Sequence, residues 1–188
     1  MKNIKIRSRT ELCDYISSGG KVKILMFWGH RPSKDGLITK SCFSQWFETE
    51  FHVDGIRYSS AEQYMMAEKA RLFSDETALH RILESTNPGA VKAIGREILG
   101  FDENIWLDKR WDIVVQANFG KFSQNSSLQE FLLATNERIL VEASPVDKIW
   151  GVGLAADDAR SENPSEWEGL NLLGFALMEV RSRLARKG

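Results

Sequence analysis

Cysteine and histidine are scarce in this chain of 188 residues. The two cysteines, Cys13 and Cys42, form no Cys-x-x-Cys pair, so no disulfide framework is indicated and a reducing, cytoplasmic location is expected. The three histidines (His30, His52 and His80) lie 22 and 28 residues apart and match no metal-ligand spacing. The sequence therefore predicts neither a metal site nor a cofactor.

Long apolar runs and an excess of one charge are also absent. The apolar run at 24–28 is too short for a signal-peptide core or a membrane span, so no membrane partner is predicted. With 25 basic and 26 acidic side chains, the chain as a whole has no basic footprint for nucleic acid, although a local basic patch stays open. A hydrophobic content of 43% and this length are typical of one soluble globular domain.

Several catalytic motifs are missing as well. The chain has no G-x-S-x-G, H-E-x-x-H or P-loop, which leaves serine hydrolases, zinc proteases and NTPases without support. Residues 151–156 match G-x-G-x-x-A, but a dinucleotide site needs a helix directly after the glycines, and 157–164 has the composition of a loop. We therefore reject a Rossmann interpretation. The long loop between Trp150 and Asn171 carries Asp157 and Asp158, and loops of this length are usually functional or disordered, with Trp167 favouring order.

Tryptophan, in contrast, is abundant, with six residues. Its flat surface suits stacking on nucleobases, and ligand pockets are typically aromatic. We expect most of the six to fill the core and one or two to line a pocket.

Local patterns predict an α+β fold, helix-rich with a few short strands in a single domain. Capping signals at Ser8, Asn87-Pro88 and Ser127 and apolar periodicity place the helices, and an Asp54-Gly55 turn places a hairpin. The predicted helices are 8–19, 60–72, 76–84, 87–100, 107–122, a helix from 127 and 171–186; the predicted strands are 21–28, 51–53, 56–58, 139–142 and 146–150.

The most informative segment is the helix that begins near Ser59. It places Glu62 and Lys69 seven residues apart on one face that is otherwise apolar. Burying a charged side chain is costly unless it is paired or functional. For Glu62 a structural alternative stays open, because Ser59-x-x-Glu62 is also a capping box; for Lys69 the sequence offers none. A carboxylate can stabilise an oxocarbenium-like transition state and a lysine can act as a base or form a Schiff base, and both suit cleavage of a glycosidic bond.

Four parts of the chain, in this order, resemble the YbiA-like family, also called the NADAR domain. They are CFSQWF at 42–47, DGIRYSSAEQYMMAEKA at 54–70, KRW at 109–111, and IWGVGL at 149–154 with WEGLNLLGFALM at 167–178. The resemblance covers roughly 27–184. It implies a YbiA-like domain at 27–188, preceded by an N-terminal extension at 1–26 packed on it.

Resemblance to this family implies an N-glycosidase that acts on ribose or ADP-ribose attached to a base-like nitrogen. The substrate would be either a ribosylamino-pyrimidine intermediate of riboflavin biosynthesis, removed as a damaged metabolite, or ADP-ribosylated guanine, so that ADP-ribosylated nucleic acid is a conceivable partner. The alternative is a non-catalytic module that binds ADP-ribose or a related nucleotide.

The resemblance also assigns residues. It implies that Glu62 and Lys69 are catalytic and that Trp111 and Trp150 flank the substrate. Lys69 is expected to pair with Glu62 at rest and to attack the ring-opened sugar during turnover. Further substrate-binding candidates are Gly151, Asp157, Asp158 and Asn171.

Three positions depart from the family pattern. Val152 stands where some relatives carry aspartate, so Asp157 or Asp158 is a candidate replacement. Gln45 stands where relatives often have Asn, and Gln63 where they often have His. These departures leave the reaction type in place and leave the substrate open.

Overall fold

The computed structural model describes residues 6–186, and its backbone contacts divide the chain into two compact units. The first unit comprises the residues up to Gly29 together with those from Glu130 onward, and the second unit is His30–Gln129. Residues 1–5 of the predicted extension, and 187–188, lie outside the described residues. No helix within 6–186 is long and apolar enough to cross a membrane.

Within residues 6–186 the secondary structure is helix-rich with four short strands, which confirms the α+β class. In chain order the elements are α1 (Arg9–Ser17), β1 (Ile24–Phe27), β2 (Phe51–Val53), β3 (Ile56–Tyr58), α2 (Ala61–Leu72), α3 (Glu76–Glu84), α4 (Pro88–Arg96), α5 (Glu103–Ser123), α6 (Ser126–Leu133), β4 (Ile139–Glu142) and α7 (Leu172–Ala185). Three short 3-10 helices, at Lys40–Phe43, Ala159–Glu162 and Pro164–Glu166, were not predicted.

The first unit is built on a parallel pair of strands, β1 and β4, in which Leu25 lies opposite Leu140. Helix α7 packs on β4 and is buried along most of its length, as its apolar composition predicts. The approach is close because Gly174 faces the strand: a Cβ there would lie 2.0 Å from the Leu140 carbonyl oxygen. The start of α7 is therefore held directly against β4.

The second unit is centred on α2, which packs against α3, α4 and α5. Eight of its twelve residues are buried, and these include the polar residues Glu62 and Gln63. The β2–β3 hairpin precedes it, and Asp54 and Gly55 both have positive φ, as the predicted type I′ turn requires.

The predicted end of α4 and the predicted strand at 146–150 are both wrong. Helix α4 ends at Arg96 instead of Gly100, because the Leu99 N–H donates to Asp75 Oδ2 (2.9 Å) and leaves the helix path. The segment 146–150 is not a strand, because Asp147 Oδ1 accepts from the backbone N–H groups of Ile149 (2.9 Å) and Trp150 (2.7 Å) and turns the chain.

Candidate active site

The amino end of α2 is capped by Ser60, so the predicted capping box at Ser59 and Glu62 is wrong. Ser60 Oγ accepts from the Gln63 N–H (3.2 Å), and Gln63 Oε1 reaches back to accept from the Ser59 N–H (2.7 Å). Gln63 therefore supplies the side chain that a capping box needs. The capping-box role that the sequence offered for Glu62 is therefore performed by Gln63.

Gln63 also joins α2 to the end of α3. Its Nε2 donates to the carbonyl oxygens of Ile82 (3.0 Å) and Ser85 (2.8 Å). The last carbonyls of a helix have no partner within the helix, and Gln63 satisfies part of that deficit. Its role is structural, which accounts for a buried amide at this position.

Glu62 lies in the first turn of α2 and is only 3% exposed. The amino end of a helix carries partial positive charge, which favours a carboxylate there. The Glu62 N–H donates to the Gln45 carbonyl oxygen (2.9 Å), and Gln45 Oε1 accepts from Asn118 Nδ2 (2.9 Å) on α5. The backbone of the candidate catalytic residue is thus linked through one buried glutamine to α5.

Trp111 lies on α5, seven residues before Asn118, and is half-buried. Residues seven apart share one helix face, so Trp111 and Asn118 project from the same side, about 10 Å apart along the axis. Asn118 reaches Gln45 beside Glu62, whereas Trp111 lies about two turns away on α5, and a shared site for Trp111 and Glu62 stays a prediction.

Lys69 has a structural environment that the sequence did not indicate. Its Nζ donates to the Gly95 carbonyl oxygen (2.7 Å) near the carboxyl end of α4, where helix carbonyls lack partners and the helix dipole favours a cation. The ammonium also lies 4.3 Å from the ring centroid of Phe101 and 5.8 Å from that of Trp106. In the structure Lys69 therefore contacts α4, and the expected resting pair with Glu62 stays a prediction. Burial lowers the pKa of Lys69.

A second lysine with a structural environment, Lys121, was not singled out from the sequence. It is fully buried on α5, where its Nζ donates to the Ser44 carbonyl oxygen (2.8 Å) beside Gln45. Burial lowers its pKa to about 7, and burial raises the pKa of the Cys42 thiol in the same region to about 11. The signal for Lys121 was its place in a helix segment whose other buried positions, apart from Asn118, are apolar or glycine, such as Val114 and Phe122.

The first unit holds the second set of predicted residues, beginning with Trp150 and Gly151. Trp150 is half-buried, and its backbone is fixed by Asp147. Gly151 is in a close approach: a Cβ there would lie 2.8 Å from the carbonyl oxygen of Glu142 and 3.0 Å from that of Asp147. The glycine allows this loop to lie against the carboxyl end of β4.

Val152 and the two loop aspartates differ in their surroundings. Val152 is fully buried, and its N–H donates to the Glu142 carbonyl oxygen (2.9 Å). Asp158 caps the following 3-10 helix and pairs with Arg160 (2.7 Å), whose hydrogen bonds hold the pKa of that carboxyl below its usual range. Asp157 is exposed. The carboxylate of Asp158 is thus already paired with Arg160.

Asn171 is fully buried at the start of α7, with φ of 55°. Its Oδ1 accepts from the Glu142 N–H (2.9 Å) and its Nδ2 donates to the Leu140 carbonyl oxygen (2.9 Å). Asn171 therefore extends the hydrogen bonding of β4, and any contact with substrate stays a prediction. The surrounding loop is ordered, with Trp167 buried and its Nε1 donating to the Ser161 carbonyl oxygen (2.8 Å).

Metal-ligating residues are not grouped in the part of the chain that the structure describes. Across 6–186, no three His, Cys, Asp or Glu side chains lie together in a way that would hold a metal ion.

Comparison with known proteins places these features in a family. A model of the NADAR domain matches residues 26–185. An N-glycosidase of Acanthamoeba polyphaga mimivirus is 42% identical over 164 residues, which cover 85% of this chain and 95% of that protein. The N-glycosidase YbiA of Escherichia coli K12 is 30% identical over 143 residues, covering 76% and 81%. The NMR structure of E. coli YbiA superimposes with a TM-score of 0.71 at 26% identity, over 89% of this chain and 88% of that one.

Proposed function

Because this chain belongs to the NADAR domain family, whose matched relatives include N-glycosidases, we propose that it hydrolyses the bond between C1 of a ribosyl group and a base-like nitrogen. The protein is a hydrolase of N-glycosyl bonds. The ribosyl group would be either a ribose phosphate on an amino-pyrimidine of riboflavin biosynthesis or ADP-ribose on guanine.

The observation that carries this proposal is the identity of the α2 cap. Ser60 and Gln63 perform the capping that was the structural alternative for Glu62. Natural proteins retain a buried carboxylic acid at some cost in stability, and catalysis is a common reason for doing so. A catalytic role is therefore the better account of Glu62.

The reaction breaks the C1–N bond, and its electron pair leaves with the nitrogen. Positive charge grows on C1 and the ring oxygen, and the Glu62 carboxylate stabilises that charge or takes a proton from the attacking water. The water oxygen bonds to C1, and one water proton ends on the departing nitrogen. Trp111 is the candidate for stacking on a flat part of the substrate, and a contact of Trp150 with substrate stays a prediction.

Lys69 has two candidate roles, and one of them is covalent. Its Nζ would leave the Gly95 carbonyl, attack the aldehyde of the ring-opened sugar and lose water to form an imine. A lowered pKa increases the fraction of neutral amine that this attack needs. Borohydride added during turnover would reduce the imine, and mass spectrometry would show the sugar on Lys69. An unmodified Lys69 would leave it the structural role that its contact with α4 describes.

The main test offers both substrates in parallel to the wild type and to Glu62→Gln. Loss of general acid–base catalysis typically costs about 10²–10⁴-fold in rate. We expect Glu62→Gln to lose turnover by that order while its melting temperature holds or rises, because a neutral amide costs less to bury than a carboxylate. Glu68→Gln, on the same helix and half-exposed, is the matched control and should keep full turnover.

Two outcomes would contradict the proposal. Full turnover by Glu62→Gln would remove Glu62 from the mechanism. Tight binding of ADP-ribose by the wild type in calorimetry, with no product from either substrate, would favour a binding module instead.

A further inference from the structure

A cavity in the first unit lies away from the residues discussed so far. Its volume is about 550 Å³, within the range of small-molecule sites. Val22 and Ile139 line it at the amino ends of β1 and β4, where Ile24 pairs with Ile139. The loop of Trp150 and Gly151 meets Glu142 at the carboxyl end of β4, about 10 Å further along the strand. The two locations are opposite ends of the same strand pair.

The cavity wall includes a guanidinium that has no close carboxylate partner within the described chain. Arg181 uses one nitrogen, Nη1, to donate to Thr135 Oγ1 (2.6 Å) and to the Arg138 carbonyl oxygen (2.9 Å), both of which are neutral acceptors. Burial lowers its pKa to about 10, although Glu137 opposes that shift. The remaining nitrogens of a guanidinium form a fork that matches an oxyanion.

The remaining charged residues that line the cavity give its lining a net positive charge. Glu179 is already paired with Arg7 (2.8 Å) and Arg183 (2.9 Å), so it does not offset the cavity cations. Lys21 and Arg186 add two further positive charges to that of Arg181, against the exposed Glu137.

The rest of the wall suits a flat or apolar body. The Tyr15 ring is held against the chain at Gly20, where a Cβ would lie 2.4 Å from it. The apolar lining consists of Ile6, Val22, Leu133, Ile139 and Met178. An ion without an apolar part would leave these surfaces in water.

From this combination we infer that the first unit has a second binding site, for a small organic anion with an apolar or aromatic body, whose anionic group binds Arg181. The site is independent of N-glycoside hydrolysis, because none of its residues belongs to the proposed catalytic set. Carboxylates, phosphates and sulfonates share the chemistry that it recognises.

Anilinonaphthalene sulfonate is a suitable probe, because it joins one anionic group to flat apolar rings and becomes fluorescent when bound. We expect the folded wild type to bind it, and Arg181→Met to bind it about 10- to 100-fold more weakly, the value of a charge-assisted hydrogen bond. Uncharged N-phenylnaphthylamine should bind more weakly than the sulfonate. Arg96→Met, which removes an exposed arginine of the second unit, is the matched control and should bind like the wild type.

Further variants keep the test decisive if Arg181→Met does not fold. Arg181→Lys keeps a cation and should retain part of the affinity. Ala185→Trp, at an exposed position of the lining, should obstruct the cavity and abolish binding with Arg181 unchanged. Binding should persist in Glu62→Gln, so failure here and failure of the proposed hydrolysis are distinguishable. Equal affinity of the wild type for the charged and uncharged probes, or no effect of Arg181→Met or Ala185→Trp, would overturn the site.

Discussion

Lys121→Met should change how the stability of the protein depends on pH. The lysine is fully buried, its Nζ donates to the Ser44 carbonyl oxygen, and the nitrogen lies 5.4 Å and 5.3 Å from the ring centroids of Phe47 and Phe122. Burial lowers its pKa from 10.5 to about 7. Methionine has a similar length and no charge, so the variant removes the titration with little change in packing volume.

The sign and size of the effect follow from proton linkage. Below pH 7 both the folded and the unfolded chain hold the proton, and Lys121 contributes no slope. Between about pH 7 and 10.5 only the unfolded chain holds it, so the free energy of unfolding rises by about 1.4 kcal/mol per pH unit. Since the slope develops gradually around the folded pKa, the rise from pH 7 to 9 is about 2 kcal/mol. Above pH 9 the raised pKa of Cys42 opposes it, because the unfolded thiol ionises first.

Urea unfolding of the wild type and Lys121→Met across about pH 5 to 9 measures this difference directly. The wild type should gain about 2 kcal/mol relative to the variant between pH 7 and 9 and nothing below pH 6. For Lys34→Met, at an exposed position of the same unit, the free energy of unfolding should change with pH as it does in the wild type. The free energy of unfolding of Lys121→Met could instead change with pH in the same way as that of the wild type. The lysine would then be hydrated or keep its charge in the folded state, and the linkage argument would fail.

Three further substitutions test contacts of the candidate site. Lys69→Met removes the hydrogen bond to Gly95 and should lower the free energy of unfolding by about 1–3 kcal/mol, measured in urea. Gln63→Ala leaves carbonyls of α3 without their donor and should cost about 1–3 kcal/mol, while turnover per folded molecule is retained; a loss of turnover without a loss of stability would contradict its structural role. Gly151→Ala places a Cβ 2.8 Å from the Glu142 carbonyl oxygen, so thermal melting should show a clear loss of stability, and an unchanged melt would refute the close approach.

Elements with local chemical signals could be predicted from the sequence. The Asp54-Gly55 turn gives the β2–β3 hairpin, and the Asn87-Pro88 pair gives the start of α4, because each signal acts within a few residues. The end of α4 could not be predicted, since a distant side chain accepts a backbone N–H there, whereas the turn at 146–150 depends on Asp147, a local signal that the sequence reasoning missed. In the first case the acceptor, Asp75, is 24 residues away from the donor, Leu99.

Glu62 and Lys69 also depend on contacts that are distant in sequence. Ser59 and Ser60 are both suitable N-caps by sequence, and the choice between them depends on Gln63, whose amide is drawn to the end of α3. Lys69 looked unexplained because its partner, Gly95, lies on another helix. Sequence reasoning therefore identified the right helix and assigned the structural explanation to the wrong residue in it.

The aspartate that some relatives carry at the position of Val152 bears on how much of the chemistry Glu62 must supply. Asp158 is neutralised by Arg160 while it caps a 3-10 helix, so recruiting it would break both contacts. Asp157 is exposed, where water screens a carboxylate strongly. Val152 itself is buried and apolar. If hydrolysis in this chain needs one carboxylate, we expect Glu62 to provide it without help from a second. The loss of rate on removing Glu62 should then lie near the upper end of the range for general acid–base catalysis, about 10⁴-fold.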